Sequence, residues 1–185
     1  PIAVGQAARL IEYLELADKT YRAELTFGFA TDSGDDTGAI TEEVADFAMP
    51  SQQAIEHALL GFTGKIRQTP PAHSAIKIGG KRACDLLREG KEVEIPSREV
   101  TIHALDLVAY HPEEKKILLD VQCSKGTYIR SLCLDIGAAL GLPATMSFLV
   151  RSRVGDFALA DALTLEELSE AGERAILEPA HFLSH

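Results

Sequence analysis

From Thr20 to Phe29 the segment TYRAELTFGF alternates, with Tyr21, Ala23, Leu25, Phe27 and Phe29 on one parity and Thr20, Arg22, Glu24 and Thr26 on the other. A period of two is that of a β-strand with one buried and one solvated face. Such a strand needs neighbours to pair with and an apolar layer against one side. Two later segments, VTIHALDLVAYH (100–111) and KILLDVQC (116–123), supply pairing. The second alternates through Ile117, Leu119, Val121 and Cys123, and the short HPEEKK turn between them predicts an antiparallel pair. MSFLVRSRVGDFAL (146–159) reads as a further strand, and a short strand near TEEVADF returns beside the first one after the turn TDSGDDTG (31–38).

Helical spacing appears elsewhere. VGQAARLIEYLEL repeats apolar residues at helical intervals almost from residue 1, Ser51 is placed to cap a helix running to Leu60, and Thr164 with Glu167 forms a capping box. In TYIRSLCLDIGAALG the apolar residues 129, 132, 133, 136 and 140 form one helical face, and Gly141 with Pro143 ends it. Antiparallel strands mixed with helices predict an α+β fold, a mixed, mainly antiparallel sheet flanked by helices. The stretch of about 68–98, with its Pro pair, Gly pair and short helix ending at Gly90, reads as an excursion from that core.

Composition narrows the function classes. With 46% apolar and 25% charged residues the 185-residue chain is of globular type. No run of about 18 uncharged apolar residues is present, and no basic start leads into an apolar stretch, so neither a membrane span nor a signal peptide is indicated and a cytoplasmic setting is expected. Cys84, Cys123 and Cys133 are too scattered for a disulfide framework and are read as reduced; they show no metal-ligand spacing with the six histidines. Asp32, Asp35 and Asp36 lack the spacing and closing Glu of a calcium loop and read as turn residues. No phosphate-cradling or dinucleotide glycine motif occurs. The net charge is −10, yet residues 61–100 carry eight Lys and Arg against five Asp and Glu. That local excess permits a nucleic-acid partner and equally permits a merely solvated surface.

One residue sits against expectation. With Thr127 as N-cap, Arg130 occupies the third position of its helix, where the macrodipole disfavours a cation by a few tenths to about 1 kcal/mol. An anion close by would reverse that penalty, because the guanidinium fork and free helix N–H groups both favour one. A solvated surface arginine is the plainer alternative.

Five segments carry a resemblance: K19-T-Y21, GFATDSGDDTG, QTPPAHSAIKIGGKRA, CSKGTYIRSLCLDIG and FLVRSRVGDF, in this order. Together they resemble the bacterial tRNA pseudouridine synthase B (TruB-type) family along nearly the whole chain. The resemblance implies a pseudouridine synthase catalytic domain at 1–160, with 68–98 as a thumb-like insertion that clamps the T-arm of tRNA through His73, Lys77, Lys81 and Arg82. Residues 161–185 are then a helix and tail leading toward an RNA-binding domain of PUA type. Tyr21 matches the tyrosine that stacks on the flipped uracil and is implicated in removing its proton, and Arg130 matches the arginine that pairs with the catalytic aspartate. Tyr128 and Leu149 match pocket residues, and Lys19 the supporting lysine of a KxY motif.

The implied reaction isomerises a T-loop uridine to pseudouridine without metal or organic cofactor, and the implied enzyme is a cytoplasmic monomer. Two departures accompany the match. The family's nucleophilic aspartate lies upstream, in a GHxGTLDP motif that has no counterpart here, and family members usually continue into the PUA-type domain, so both ends are expected to be truncated, the chain to be inactive alone and Arg130 to be an unpaired half of a site. His73 and Cys84 stand where tyrosine is commoner. A non-catalytic RNA-binding or RNA-folding module, or a guide-RNA-dependent relative, are the competing readings.

Overall fold

The computed structural model describes residues 1–71, 73–74, 76–89 and 95–177. The chain enters through a 3-10 turn at Gly5–Leu10 and a short helix α1 (Ile11–Leu16). The sequence spacing suggests one helix from near residue 1; instead Gly5 takes φ +61°, and no residue of either element is buried. A short amphipathic helix draws its stability from packing, and here its apolar side, Ala7, Leu10, Ile11 and Leu14, is only half-buried.

The alternating segment forms β1 (Lys19–Phe27) but does not continue through Phe29. Gly28 turns the chain at φ +107°, and a Cβ there would lie 2.9 Å from the Phe47 ring, so only glycine allows this close approach. Beyond it β2 (Phe29–Thr31) pairs with β3 (Ile40–Glu43) in a separate small sheet, enclosing the TDSGDDTG turn. Helix α2 (Gln52–Leu60) follows, with the Ser51 hydroxyl accepting from the Ala54 N–H at 3.2 Å, and buries Ile55 and Leu59. Strand β4 (Gly64–Gln68) leads into the insertion, where β5 (Lys77–Ile78) and β6 (Lys81–Arg82) form a hairpin turned by Gly79 and Gly80, both at positive φ. Helix α3 (Ala83–Arg88) follows; its expected stop at Gly90 lies outside the described residues.

Strands β7 (Arg98–His111) and β8 (Lys116–Cys123) form the expected antiparallel pair, with Lys115 in the left-handed region closing the turn. Helix α4 (Ile129–Ala139), β9 (Ala144–Val154), β10 (Phe157–Ala158) and α5 (Leu165–Ala171) complete the order. Both halves of the Thr164 capping box are made.

The main sheet runs β10-β9-β1-β8-β7-β4 with every pair antiparallel; the parallel component is an isolated bridge from Asp35 to Met146. One face of β1 and β8 carries Ala23, Leu25, Phe27, Ile117, Leu119 and Val121, and packs against Ile55 of α2 and Leu132, Cys133 and Ile136 of α4. At about 1.5–3 kcal/mol for each large side chain buried, this layer is the main apolar core and holds α4 against the sheet. The opposite parity is polar: Arg22 donates two hydrogen bonds to Asp120 (2.8 and 2.7 Å), and Lys116 meets Glu24 at 2.9 Å.

Candidate active site

The start of α4 is reached from β8 through Ser124–Tyr128. Tyr128, rather than Thr127, is the N-cap residue, and its side chain makes no cap hydrogen bond. The Thr127 hydroxyl instead donates to the Ser124 carbonyl at 2.9 Å, which shifts the helix start and puts Arg130 at the second helical position. The cap comes from a distant strand. Gln68, the fully buried last residue of β4, accepts from the Tyr128 N–H at 3.0 Å and donates from Nε2 to the Tyr128 carbonyl at 3.2 Å.

Arg130 is not unpaired. Its Nη1 donates to Asp35 Oδ2 at 3.1 Å and to the Ser33 carbonyl at 3.0 Å, and Nη2 donates to the His73 carbonyl at 2.9 Å. The nearby anion expected from the helix dipole is therefore Asp35, a residue whose sequence setting suggests only a turn. The loop is built to present it. Ser33 Oγ and Thr37 Oγ1 donate to Asp35 Oδ1 at 2.8 and 2.6 Å, and Thr31 Oγ1 donates to its carbonyl at 2.6 Å. Partial burial raises the Asp35 carboxyl, but the Thr37 and Ser33 hydrogen bonds and the Arg130 charge outweigh it and hold the group below the usual carboxylate range. Among the described residues, the contacts of the fork run through Nη1 and Nη2.

A second group of matched residues lies on the strands. Tyr21 on β1 pairs with Val121 of β8 on one side and Arg151 of β9 on the other, and Leu149, 40% exposed, lies opposite Ala23. Burial pushes the Tyr21 phenol up, the neighbouring Cys123 adds to this, and a hydrogen bond with Arg151 opposes it. Lys19 donates from Nζ to the carbonyls of Leu14, Glu15 and Ala17 (3.2, 2.7 and 2.6 Å), tying the end of α1 to β1 where a cation suits the helix dipole. Among the described residues no hydrogen bond joins this group to Arg130. They are linked through the sheet, since Lys19 pairs with Cys123 at the end of β8 and Asp35 bridges Met146 on β9.

Within the insertion His73 is exposed, and its Nε2 lies 3.9 Å from Asp32 Oδ2. Lys81 is engaged with Glu89 at 3.2 Å and Arg82 with Asp85 at 2.7 Å. Lys77 begins β5; its side chain and that of Cys84 lie outside the described part. Cys123 and Cys133 are free thiols, buried as expected, and burial pushes Cys133 up to about 12. No cluster able to hold a metal occurs among the described residues.

Sequence reading missed three residues here: Asp35, Gln68 and Arg98. The Arg98 guanidinium lies 5.0 Å from the centroid of the Tyr128 ring and donates to the Gly126 carbonyl. For Asp35 a signal existed, namely three aspartates beside glycines in one short turn; for Gln68 and Arg98 the sequence offers none.

The sequence and fold of this chain, an antiparallel sheet with helices packed on one face, coincide with a known class. The family model described as TruB family pseudouridylate synthase (N terminal domain) matches residues 1–129, and the one described as tRNA pseudouridylate synthase B C-terminal domain matches 130–180. The chain belongs to the TruB family of pseudouridylate synthases. Its curated relatives carry the narrower name tRNA pseudouridine synthase B. That of Symbiobacterium thermophilum is 48% identical over 97% of this chain and 60% of its own length, and that of Bacillus pumilus 44% identical over 96% and 59%. The chain thus spans about 60% of the length of these relatives. Among solved structures, a chain of a Cbf5-Nop10-Gar1 complex superposes with a TM-score of 0.67 at 26% identity, covering 98% of this chain and 45% of that one.

Proposed function

We propose that this chain forms the pocket of a tRNA pseudouridine synthase acting on the T-loop uridine, with the stem held by the 68–98 insertion. The observation that carries this reading is Arg130, fixed by Asp35, Ser33 and His73 at the head of α4, on a chain whose relatives bear that name. A uridine in a folded RNA loop must be extruded before its C1′–N1 bond can be broken, and an extruded base needs an aromatic surface to stack on. Tyr21 suits that surface. The base then rotates, C1′ bonds to C5, C5 loses its proton and N1 gains one. Throughout, a carboxylate working at the sugar must stay ionised, and a guanidinium beside it lowers its pKa. Arg130 is positioned to supply that charge, while Asp35 limits how far the fork can swing.

As a reading of setting, a tRNA substrate implies the cytoplasm, and a monomer suffices, since the assigned residues all come from one chain. No described helix is long and apolar enough to cross a membrane.

The test is pseudouridine formation on a T-arm stem-loop, by the chain alone and by the chain extended at its N-terminus with the aligned residues of the Symbiobacterium thermophilum relative. Product that disappears on Arg130→Ala is the expected result. Tight T-arm binding with no product from either protein would replace the enzyme reading with that of an RNA-binding module.

A further inference from the structure

The two roots of the insertion converge on the first turn of α4. From the incoming side, Gln68 clamps both main-chain groups of Tyr128, and the Ser131 hydroxyl donates to the Thr69 carbonyl at 2.9 Å. From the outgoing side, Arg98 lies against the Tyr128 ring and holds the Gly126 carbonyl. Gln68 is the centre of this junction. A carboxamide has one acceptor and two donors, and here the acceptor and one donor serve a single residue 60 positions away. It is also wholly shielded from water, where a polar group left without a partner is costly. The pair is therefore geometrically specific: neither a shorter side chain nor an apolar one reproduces it.

From this geometry we infer that Gln68 is a positioning residue for the reaction. By pinning the main chain of Tyr128 it sets where the Tyr128 ring and, two residues on, the Arg130 guanidinium stand. It thereby ties the base of the 68–98 insertion to the pocket, so that an RNA stem gripped by the insertion is registered against Arg130. The inference rests on the function proposed above for its chemistry, although the clamp itself does not. Gln68 touches no substrate in this scheme and acts through Tyr128.

The test uses Gln68→Met, which keeps the volume and removes both hydrogen bonds, beside Ser51→Ala, which removes the cap of α2 and serves as a control for general destabilisation. Amide hydrogen exchange on the 185-residue chain reads the clamp directly. Faster exchange at Tyr128, by about tenfold or more in Gln68→Met and not in Ser51→Ala, supports it; unchanged exchange at Tyr128 overturns it. Single-turnover pseudouridine formation by the same variants of the N-terminally extended chain, at saturating protein, reads the consequence. The rate in Gln68→Met is expected to fall by about 10- to 100-fold while T-arm affinity stays within about twofold, as befits misplacement by an ångström or less. A rate equal to that of the unsubstituted protein, or a loss confined to affinity, sinks the positioning role. If the N-terminally extended, unsubstituted protein binds T-arm RNA and forms no product, the reaction assignment fails, and the exchange result alone decides whether Gln68 organises this turn.

Discussion

Arg130 and Tyr128 are two residues apart, yet the protein holds them by opposite means. Arg130 is held by charge. Its partner Asp35 sits in a loop, both side chains keep about a fifth of their surface in water (20% and 22%), and the pair is one contact among several. Tyr128 is held at its main chain by a neutral, fully buried carboxamide on a strand. The difference separates two tasks. A neutral clamp in a dry environment fixes position and is indifferent to salt and pH. A partly wet ion pair gives up some rigidity and keeps a charge that can be tuned and shared with an incoming anion.

The sharpest way to break this contrast is at Arg130 itself. Under the proposed chemistry, Arg130→Ala removes the one positive group assigned to the reacting carboxylate, and the single-turnover rate is expected to fall by about 100- to 1000-fold, as for other preorganised electrostatic groups. Arg130→Lys keeps a charge but not the fork that spans Asp35, Ser33 and His73, so most of the loss should remain. A rate within threefold for Arg130→Lys would mean that charge without placement is enough.

A structural break comes next. A Cβ at Gly38 would lie 2.3 Å from Ser33 Oγ and 2.5 Å from Asp32 Oδ1, so Gly38→Ala must displace the hydroxyl that donates to Asp35. Overpacking of this kind costs about 1–3 kcal/mol, readable as a lower urea midpoint. Pseudouridine formation should fall with it, because the loop delivers Asp35. The neutral clamp at Tyr128 predicts no change in exchange at its amide.

Much of the frame is legible from residue order. The period-two run of β1, the face of α4 and the caps at Ser51 and Thr164 are local patterns, and local chemistry decides them. The break at Gly28 is different: it depends on the Phe47 ring, which a propensity at residues 20–29 does not contain. The N-cap of α4 slipped by one for a similar reason, since Thr127 turns back to Ser124 while Gln68 supplies the cap. The site is legible only by half. A cation at a helix start demands an anion and cannot name it, because Asp35 lies 95 positions away and its spacing imitates an ordinary turn. Pairings at such separations are set by the sheet order, which no local pattern encodes.

The smallest effect discriminates most directly between charge and clamp. The Asp35 carboxyl is held below its ordinary range, so its contribution to stability is fully present above the unfolded carboxylate value and disappears as pH falls through the depressed one. Asp35→Asn removes that contribution, expected at about 1–2 kcal/mol near neutrality because solvent screens a pair that is not fully buried. Urea denaturation across the acidic range should therefore show the gap between Asp35→Asn and the unsubstituted protein narrowing toward low pH. Added salt should narrow it as well. For Gln68→Met the corresponding gap should be flat in both pH and salt, since neither Gln68 nor the Tyr128 main chain titrates. A gap that narrows toward low pH yet is unchanged by salt would show that the Ser33 and Thr37 hydrogen bonds hold the carboxylate, with the Arg130 charge incidental.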